Sequence, residues 1–217
     1  MAKTTTRKRA HPGIRQLIKQ CDHMRRAYDL TGPAPARELD AGFAALLRII
    51  VDQQVSTHAG AAIWRKLEAT LGGPVEPDRV IAIGEEGLRA SGFSRGKTRY
   101  ALGLADAVAS GTLDLEGLST RPDDEATAAL TAIKGIGRWT AEIYLMFALG
   151  RPDIMPSGDL ALQIGAQLLL GLPARPSIKE LDREAERWRP YRSAAAVMLW
   201  QYYRYAKPGR GGQPAGS

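Results

Sequence analysis

Apolar residues recur at helical spacing through most of the chain, and this periodicity constrains the fold more than any other feature. Near the start, Ile14, Leu17, Ile18 and Cys21 stand at i, i+3, i+4 and i+7, on one side of a helix expected to run to about Tyr28. No run of strict alternation with β-branched residues, the pattern of a half-buried strand, occurs in the sequence. The sequence therefore predicts an all-α fold.

Further helices are predicted wherever this spacing returns between turn-forming residues. Glycine and proline mark the breaks, because they end helices or favour turns. The expected helical segments are residues 43–51, 56–71, 85–90, 94–110, 123–133, 138–149, 159–170, 177–188 and 191–205. Either Asp123 or Asp124 can cap its helix, since a carboxylate at that position accepts hydrogen bonds from first-turn amides.

The charge of the chain is positive and unevenly distributed. The 217 residues carry a formal net charge of +7, and six basic residues but no acid follow Glu186. Lys3, Arg7, Lys8 and Arg9 crowd the start. Because Lys and Arg near phosphates release condensed counterions, this imbalance favours a polyanionic partner, with ordinary solubility charge as the alternative.

Composition also excludes several classes of protein. Cys21 is the only cysteine, so a four-cysteine iron–sulfur cluster cannot form within the chain, and the three histidines lack metal-ligand spacing. Nowhere do about eighteen uninterrupted apolar residues occur, so no membrane span is expected. We expect a soluble, cytoplasmic protein that requires no cofactor, with disordered tails at residues 1–10 and 207–217.

The segment ALTAIKGIGRWTAEIYLMFAL, Ala129 to Leu149, predicts a helix, a tight Gly-x-Gly turn and a second helix. Gly135 and Gly137 permit positive φ and the close approach of a phosphate, and the amides at the start of the second helix attract the anion. A bare Gly-x-Gly between helices is also found in ordinary interhelical turns. The segment therefore predicts a phosphate-binding hairpin only together with its context.

In its full form the segment resembles the helix-hairpin-helix signature of the base-excision DNA glycosylase (HhH-GPD) superfamily, in which a catalytic aspartate follows at a helix start. Here Asp159 stands ten residues after Leu149. The pieces IKGIGRWTAEIYLMFALGRPD, PSGDLALQ and ERWRPYRSAAAVMLWQYY resemble the alkylation-repair branch, the 3-methyladenine DNA glycosylase II enzymes. The resemblance runs from about Phe43 to Tyr205 and omits the N-terminal β-domain of some members.

The resemblance implies a two-lobed all-α fold around a cleft, which Asp159 faces. One lobe is expected to combine residues 11–42 with 151–206, and the other to comprise residues 43–150, including the hairpin. Asp159 is the implied catalytic residue, because a carboxylate stabilises positive charge on the sugar and orients or deprotonates the attacking water. A helix N-cap is its alternative role, and both roles can hold together.

The implied activity is that of a monofunctional glycosylase, which hydrolyses the N-glycosidic bond of an extruded alkylated base and leaves an abasic site. Trp139 stands where lyase relatives carry a nucleophilic lysine, and tryptophan cannot form a Schiff base. Electron-rich rings attract positively charged alkylated purines, so Trp139, Tyr191 and Tyr144 are the implied pocket walls, with core packing as the alternative. The remaining tryptophans, expected in the core, are Trp64, Trp188 and Trp200.

DNA contacts are implied at several further positions. In IIVDQQVSTHAG, Gln54 matches the position whose side chain fills the gap left by the extruded base, with Gln53 as its substitute and a solvated helix corner as the alternative. The other implied DNA contacts are Gly135, Gly137, Arg138, Thr140, Ser94, Lys97 and Arg192. The family hairpin often holds a sodium or potassium ion on backbone carbonyls, which here belong to Thr131, Ile133 and Ile136.

The expected partner is double-stranded DNA that contains damaged bases, bound by a monomer that associates with the nucleoid through DNA. Two other functions stay open. One is a glycosylase of the same superfamily for oxidised or mismatched bases, and the other is a non-catalytic module that uses the hairpin only to hold DNA.

Overall fold

The computed structural model describes residues 11–36 and 38–206. These residues form eleven α-helices and two short 3-10 helices, and no β-strand is found among them, so the predicted all-α fold is confirmed. The tails predicted at residues 1–10 and 207–217 lie outside the described residues. None of the described helices is long and apolar enough to cross a membrane.

The chain divides into two compact units. The central unit is Leu39–Leu149, and the terminal unit joins the described residues before Leu39 to those from Gly150 onward. The terminal unit contains α1 (Ile14–Gln20), α2 (Asp22–Thr31), α9 (Leu160–Leu170), α10 (Ile178–Ala185), a 3-10 helix (Glu186–Trp188) and α11 (Arg192–Ala206). The central unit contains α3 (Phe43–Asp52), α4 (Thr57–Leu71), α5 (Pro77–Ala90), α6 (Arg95–Ala109), a 3-10 helix (Gly117–Thr120), α7 (Asp123–Thr131) and α8 (Arg138–Phe147).

The single first helix predicted to run to about Tyr28 is wrong. Cys21 adopts an extended conformation, with φ −142° and ψ 112°, and separates α1 from α2. The buried residues Leu17 and Met24 lie on either side of this break. Periodicity missed the break because the three- and four-residue spacing of the apolar residues continues through Cys21.

Two helix starts in the central unit also differ from the prediction. α5 begins at Pro77, eight residues before the predicted start at Glu85, because proline is well suited to a first helical turn that needs no amide donor. Gly84 is non-helical within it, with φ 59° and ψ −159°, and this irregularity obscures the apolar spacing. Neither predicted capping aspartate caps α7, since Pro122 is its N-cap and the acidic residues lie inside the first turn.

In the central unit, α3 packs against α4, α6 and α8. Its residues Leu46, Leu47 and Ile50 are fully buried, so α3 is the core helix of this unit. Trp64 on α4 was expected in the core, and this prediction is wrong. The Trp64 ring is only partly buried, and its indole Nε1 donates to Glu68 at 2.8 Å.

In the terminal unit, the predicted core position of Trp188 is confirmed by its complete burial. The same unit is held together by close packing of α9 against α11. Gly165 lies where the two helix backbones approach, and a Cβ built on it would stand 2.7 Å from the carbonyl oxygen of Leu199. A backbone carbonyl cannot move aside as a flexible side chain can. Gly165 is therefore required for the α9–α11 interface.

We expect Gly165→Ala to lower the free energy of unfolding by about 3 kcal/mol, the upper part of the range for overpacked sites. Gly103→Ala is the matched control, because Gly103 lies inside α6 and, in the part of the chain that the structure describes, no neighbour comes within 4 Å of a built Cβ. This control is expected to raise the free energy of unfolding by about 0.5–1 kcal/mol. Urea denaturation of both variants checks the pair, and equal effects would contradict the packing of α9 on α11.

Candidate functional site

A hairpin joins α7 to α8 in the central unit, and its two glycines play different parts. Gly135 has φ +98°, and a Cβ built on it would stand 2.2 Å from Cγ of Tyr100 on α6. Gly137 is the N-cap of α8 with φ −85°, and no neighbouring atom of the described residues lies within 4 Å of its built Cβ. Because first-turn amides have no intrahelical acceptor, the start of α8 is suited to an anion that approaches over Gly137.

A second feature of the central unit is the corner between α3 and α4, residues 53–55. Gln54 is exposed and takes a left-handed conformation with φ +54°, which is costly for a residue other than glycine. Gln53 donates from its side-chain Nε2 to the hydroxyl of Thr140 on α8 at 2.8 Å. This hydrogen bond ties the corner to the helix that follows the hairpin.

Lys97, on the first turn of α6, reaches the same corner. Its ammonium Nζ donates to the carbonyl oxygens of Val51 and Gln53, at 2.6 and 2.7 Å. Burial lowers the pKa of Lys97 below its ordinary value, and the carboxylate of Asp52 acts in the opposite direction. The ammonium of Lys97 is therefore bound to two backbone carbonyl oxygens of the protein, those of Val51 and Gln53.

The corner, the start of α6 and the hairpin surround one cavity of about 750 Å³ within the central unit. Most of the DNA contacts implied by the sequence line it together: Gln53, Gln54, Ser94, Lys97, Gly135, Gly137 and Thr140. The three residues whose carbonyls were expected to hold an ion line it too: Thr131, Ile133 and Ile136. Tyr100 was not anticipated, although it follows Lys97 at i+3 on α6 and so shares a helix face with it.

Asp159 is the N-cap of α9 in the terminal unit, as its alternative role required. Its Oδ1 accepts hydrogen bonds from the amides of Ala161 and Leu162, at 2.9 and 3.1 Å. The indole Nε1 of Trp200 on α11 donates to the same oxygen at 3.1 Å. Three N–H donors therefore fix the orientation of the carboxylate.

Trp200 was expected to be an ordinary core residue, and this prediction is wrong. Its ring is only partly buried, and its indole nitrogen contacts Asp159. The two residues are 41 positions apart, so no local spacing in the sequence could have paired them.

The three aromatic candidates differ in exposure. Trp139, on the first turn of α8, and Tyr191, just before α11, are both partly exposed. Tyr144 is completely buried, and its hydroxyl accepts a hydrogen bond from the amide of Gly42 at 3.0 Å. Burial raises the pKa of Tyr144. Tyr144 is therefore a buried residue of the central unit, as the core-packing alternative required, and its place in a base pocket stays a prediction.

Two predicted DNA contacts form ion pairs inside their own units. Arg192 in the terminal unit is bound through Nε and Nη2 to the carboxylate of Asp153, at 2.9 and 3.2 Å, so a phosphate would compete with this pair. Arg138 bonds through Nε to Glu142 at 2.7 Å, but its side chain is 52% exposed. Of the two, Arg138 has the more accessible guanidinium.

Comparisons with known proteins identify the family of the chain. A model of the HhH-GPD superfamily of base excision DNA repair proteins matches residues 47–190. DNA-3-methyladenine glycosylase 1 of Schizosaccharomyces pombe is 33% identical over 184 residues, which cover 82% of this chain and 81% of the relative.

Solved structures of 3-methyladenine DNA glycosylases resemble the chain in both fold and sequence. The crystal structure of a DNA-3-methyladenine glycosidase from Bacillus halodurans has a TM-score of 0.79 at 33% identity, covering 88% of this chain and 89% of that one. The Schizosaccharomyces pombe 3-methyladenine DNA glycosylase in complex with abasic DNA has a TM-score of 0.81 at 31% identity, covering 89% and 97%. The chain belongs to the HhH-GPD superfamily of base excision DNA repair proteins, as its sequence motifs predict.

Proposed function

We propose that the protein is a monofunctional DNA glycosylase that removes 3-methyladenine and related alkylated bases, including 7-methylguanine, from double-stranded DNA. The observation that carries this proposal is the carboxylate of Asp159, held at the start of α9 by three N–H donors in a chain of the base-excision superfamily. The names of the relatives supply the class of lesion. The enzyme acts as a monomer and leaves an abasic site in an intact strand.

The proposed chemistry is hydrolysis of the N-glycosidic bond. As the base departs, positive charge develops on the sugar, and the carboxylate of Asp159 stabilises that charge and directs water to the anomeric carbon. An alkylated base is a good leaving group, so no general acid is required. Trp139 offers no amine for a Schiff base, and the strand therefore stays uncut.

We propose that Trp139 and Tyr191 contact the extruded base. Both residues are partly exposed, and an aromatic face attracts the positive charge that N-alkylation places on a purine. Such contacts distinguish alkylated from ordinary purines with few hydrogen bonds. Oxidised bases lack this positive charge, which favours the alkylated class over the alternative substrates.

We propose that the cavity of the central unit receives the DNA backbone. A phosphate that approaches over Gly137 meets the first turn of α8, which carries Arg138 and Thr140. Ser94 and Lys97 line the same cavity as Gly137 and Thr140. Gln54, exposed at the corner, occupies the gap left by the extruded base, and Gln53 supports it. Arg192 is a weaker candidate because Asp153 already binds its guanidinium.

The backbone carbonyl oxygens of the hairpin are suited to bind an alkali-metal ion. Thr131, Ile133 and Ile136 border the same cavity, and carbonyl oxygens are ligands that hard cations prefer. The carbonyl of Ile133 already accepts the amide of Ile136 at 3.0 Å, which holds the turn closed. A sodium or potassium ion on these carbonyls would add positive charge beside a bound phosphate.

The test is release of free base from methylated duplex DNA, followed by chromatography of the bases and gel analysis of the strands. We expect 3-methyladenine to be released and the strands to break only after heat or alkali. Strand cleavage without that treatment would contradict the monofunctional assignment. Release of oxidised or mismatched bases instead would favour another superfamily activity, and tight DNA binding without any release would favour the non-catalytic alternative.

A further inference from the structure

The first two turns of α6 contact both the corner at residues 53–55 and the hairpin between α7 and α8. Lys97 holds the corner through the carbonyls of Val51 and Gln53, and Tyr100 lies one turn later against Gly135 of the hairpin. Because α6 is a rigid helix, these two contacts fix the spacing between the corner and the hairpin.

The contact of Lys97 has a clear physical basis at the end of α3. The last carbonyls of a helix have no intrahelical donor, and a cation there also complements the negative end of the helix dipole. The two oxygens that Lys97 binds belong to Val51, in the last turn of α3, and to Gln53, its C-cap. Lys97 therefore supplies the last carbonyls of α3 with the hydrogen-bond donors that a further turn of helix would have provided. The helix can end at Gln53 without leaving these carbonyls unpaired.

The carboxylate of Asp52 also favours a positive charge at position 97. Asp52 ends α3, its Oδ2 pairs with Arg48 at 3.0 Å, and its Oδ1 is buried with no hydrogen-bond partner among the residues that the structure describes. The positive charge of Lys97 offsets the negative charge of Asp52. An apolar side chain at position 97 would remove this compensation as well as the two hydrogen bonds.

The residue that follows is the one that needs support. Gln54 is exposed in a left-handed conformation, which persists only when its surroundings determine it. The backbone of Gln53 is held by Lys97 and its side chain by Thr140, so Gln54 is preceded by a residue fixed at two points.

We infer that Lys97 is a positioning residue, which holds the Gln53–Gln54 corner in the conformation that presents Gln54 to DNA. The inference rests on the proposed function only for the role of Gln54 in base extrusion. It assigns Lys97 a task beyond phosphate contact, because both of the oxygens that its ammonium binds belong to the protein. Its action passes through the corner, so loss of Lys97 and loss of the Gln54 side chain should damage the same step.

Hydrogen–deuterium exchange tests the positioning without any reaction. We expect Lys97→Met to accelerate amide exchange in a peptide covering residues 49–57, while Lys97→Arg, which keeps a cation with several donors, stays close to wild type. Arg99→Met is the matched control, because it removes one exposed positive charge from the same helix. If Lys97→Met fails to fold, Lys97→Gln takes its place with the same measurements. Unchanged exchange at the corner would overturn the inference.

A double-mutant cycle tests the connection to Gln54. We expect Lys97→Met and Gln54→Ala each to slow single-turnover base release from duplex DNA about tenfold, as loss of a charged hydrogen bond or of the gap-filling side chain predicts. The double variant should be slower than Gln54→Ala by no more than about twofold, since residues that act through one another are not additive. Fully additive effects would show that Lys97 acts independently of Gln54 and would overturn the inference. A wild type that releases no base would refute the proposed function alone, because the exchange measurement judges the corner separately.

Discussion

Asp159→Asn should lower single-turnover release of alkylated bases by a factor on the order of 100 to 1,000, the range for loss of a key electrostatic group at a reacting centre. The substitution removes the negative charge and little else. Asparagine caps helices about as well as aspartate, and its side-chain oxygen can accept from the same three donors, including the Trp200 indole. We therefore expect the variant to keep its melting temperature and its affinity for abasic DNA.

Asp159→Ala separates the two roles of this residue. It removes the cap as well as the charge, so it should lose activity to the same extent and also lose about 1 kcal/mol of unfolding free energy. Base release, thermal unfolding and binding to abasic DNA are measured on the wild type and both variants. If Asp159→Asn kept more than about a tenth of the wild-type rate, the carboxylate would be a structural cap, and the catalytic group would have to be sought elsewhere.

The sequence predicted those parts of the fold that depend on local spacing. Apolar periodicity located α3, α4, α6, α8 and α9 to within a few residues, because apolar side chains recur at helical spacing along each of these helices. It failed at Cys21, where the spacing continues through an extended residue. It also failed at Pro77, where a helix begins with residues that carry little apolar pattern.

The candidate site divides in the same way. The hairpin and Asp159 could be found because their residues are close together in the sequence and match a family motif. The contacts of Lys97 with Val51 and of Trp200 with Asp159 span about 40 to 50 residues, and nothing in the chain pairs them before it folds. Tyr144 lies on the helix after the hairpin, as expected, yet its side chain points into the core, which residue type alone does not determine.

The two hairpin glycines provide the second large prediction, because the structure gives them opposite surroundings. At Gly135, alanine would have to adopt φ +98° and place its methyl group 2.2 Å from the Tyr100 ring. The conformational cost and the overpacking together should lower the unfolding free energy by about 2 to 4 kcal/mol. We also expect the affinity for DNA to fall at least tenfold, because the hairpin can no longer close on α6. Urea denaturation and fluorescence anisotropy measure the two effects.

Gly137→Ala is expected to lower the affinity for DNA without the loss of stability that Gly135→Ala causes. Within residues 11–36 and 38–206, no neighbour within 4 Å of the built Cβ obstructs it, and φ −85° is accessible to alanine. The unfolding free energy should therefore change by less than about 1 kcal/mol. The new methyl group would nevertheless stand where a phosphate approaches the first amides of α8. We therefore expect a well-folded variant with about tenfold weaker binding and a shallower dependence of affinity on salt, because one phosphate contact is lost. Wild-type affinity in this variant would show that DNA does not approach over Gly137, and the hairpin would then contribute to the fold of the central unit alone.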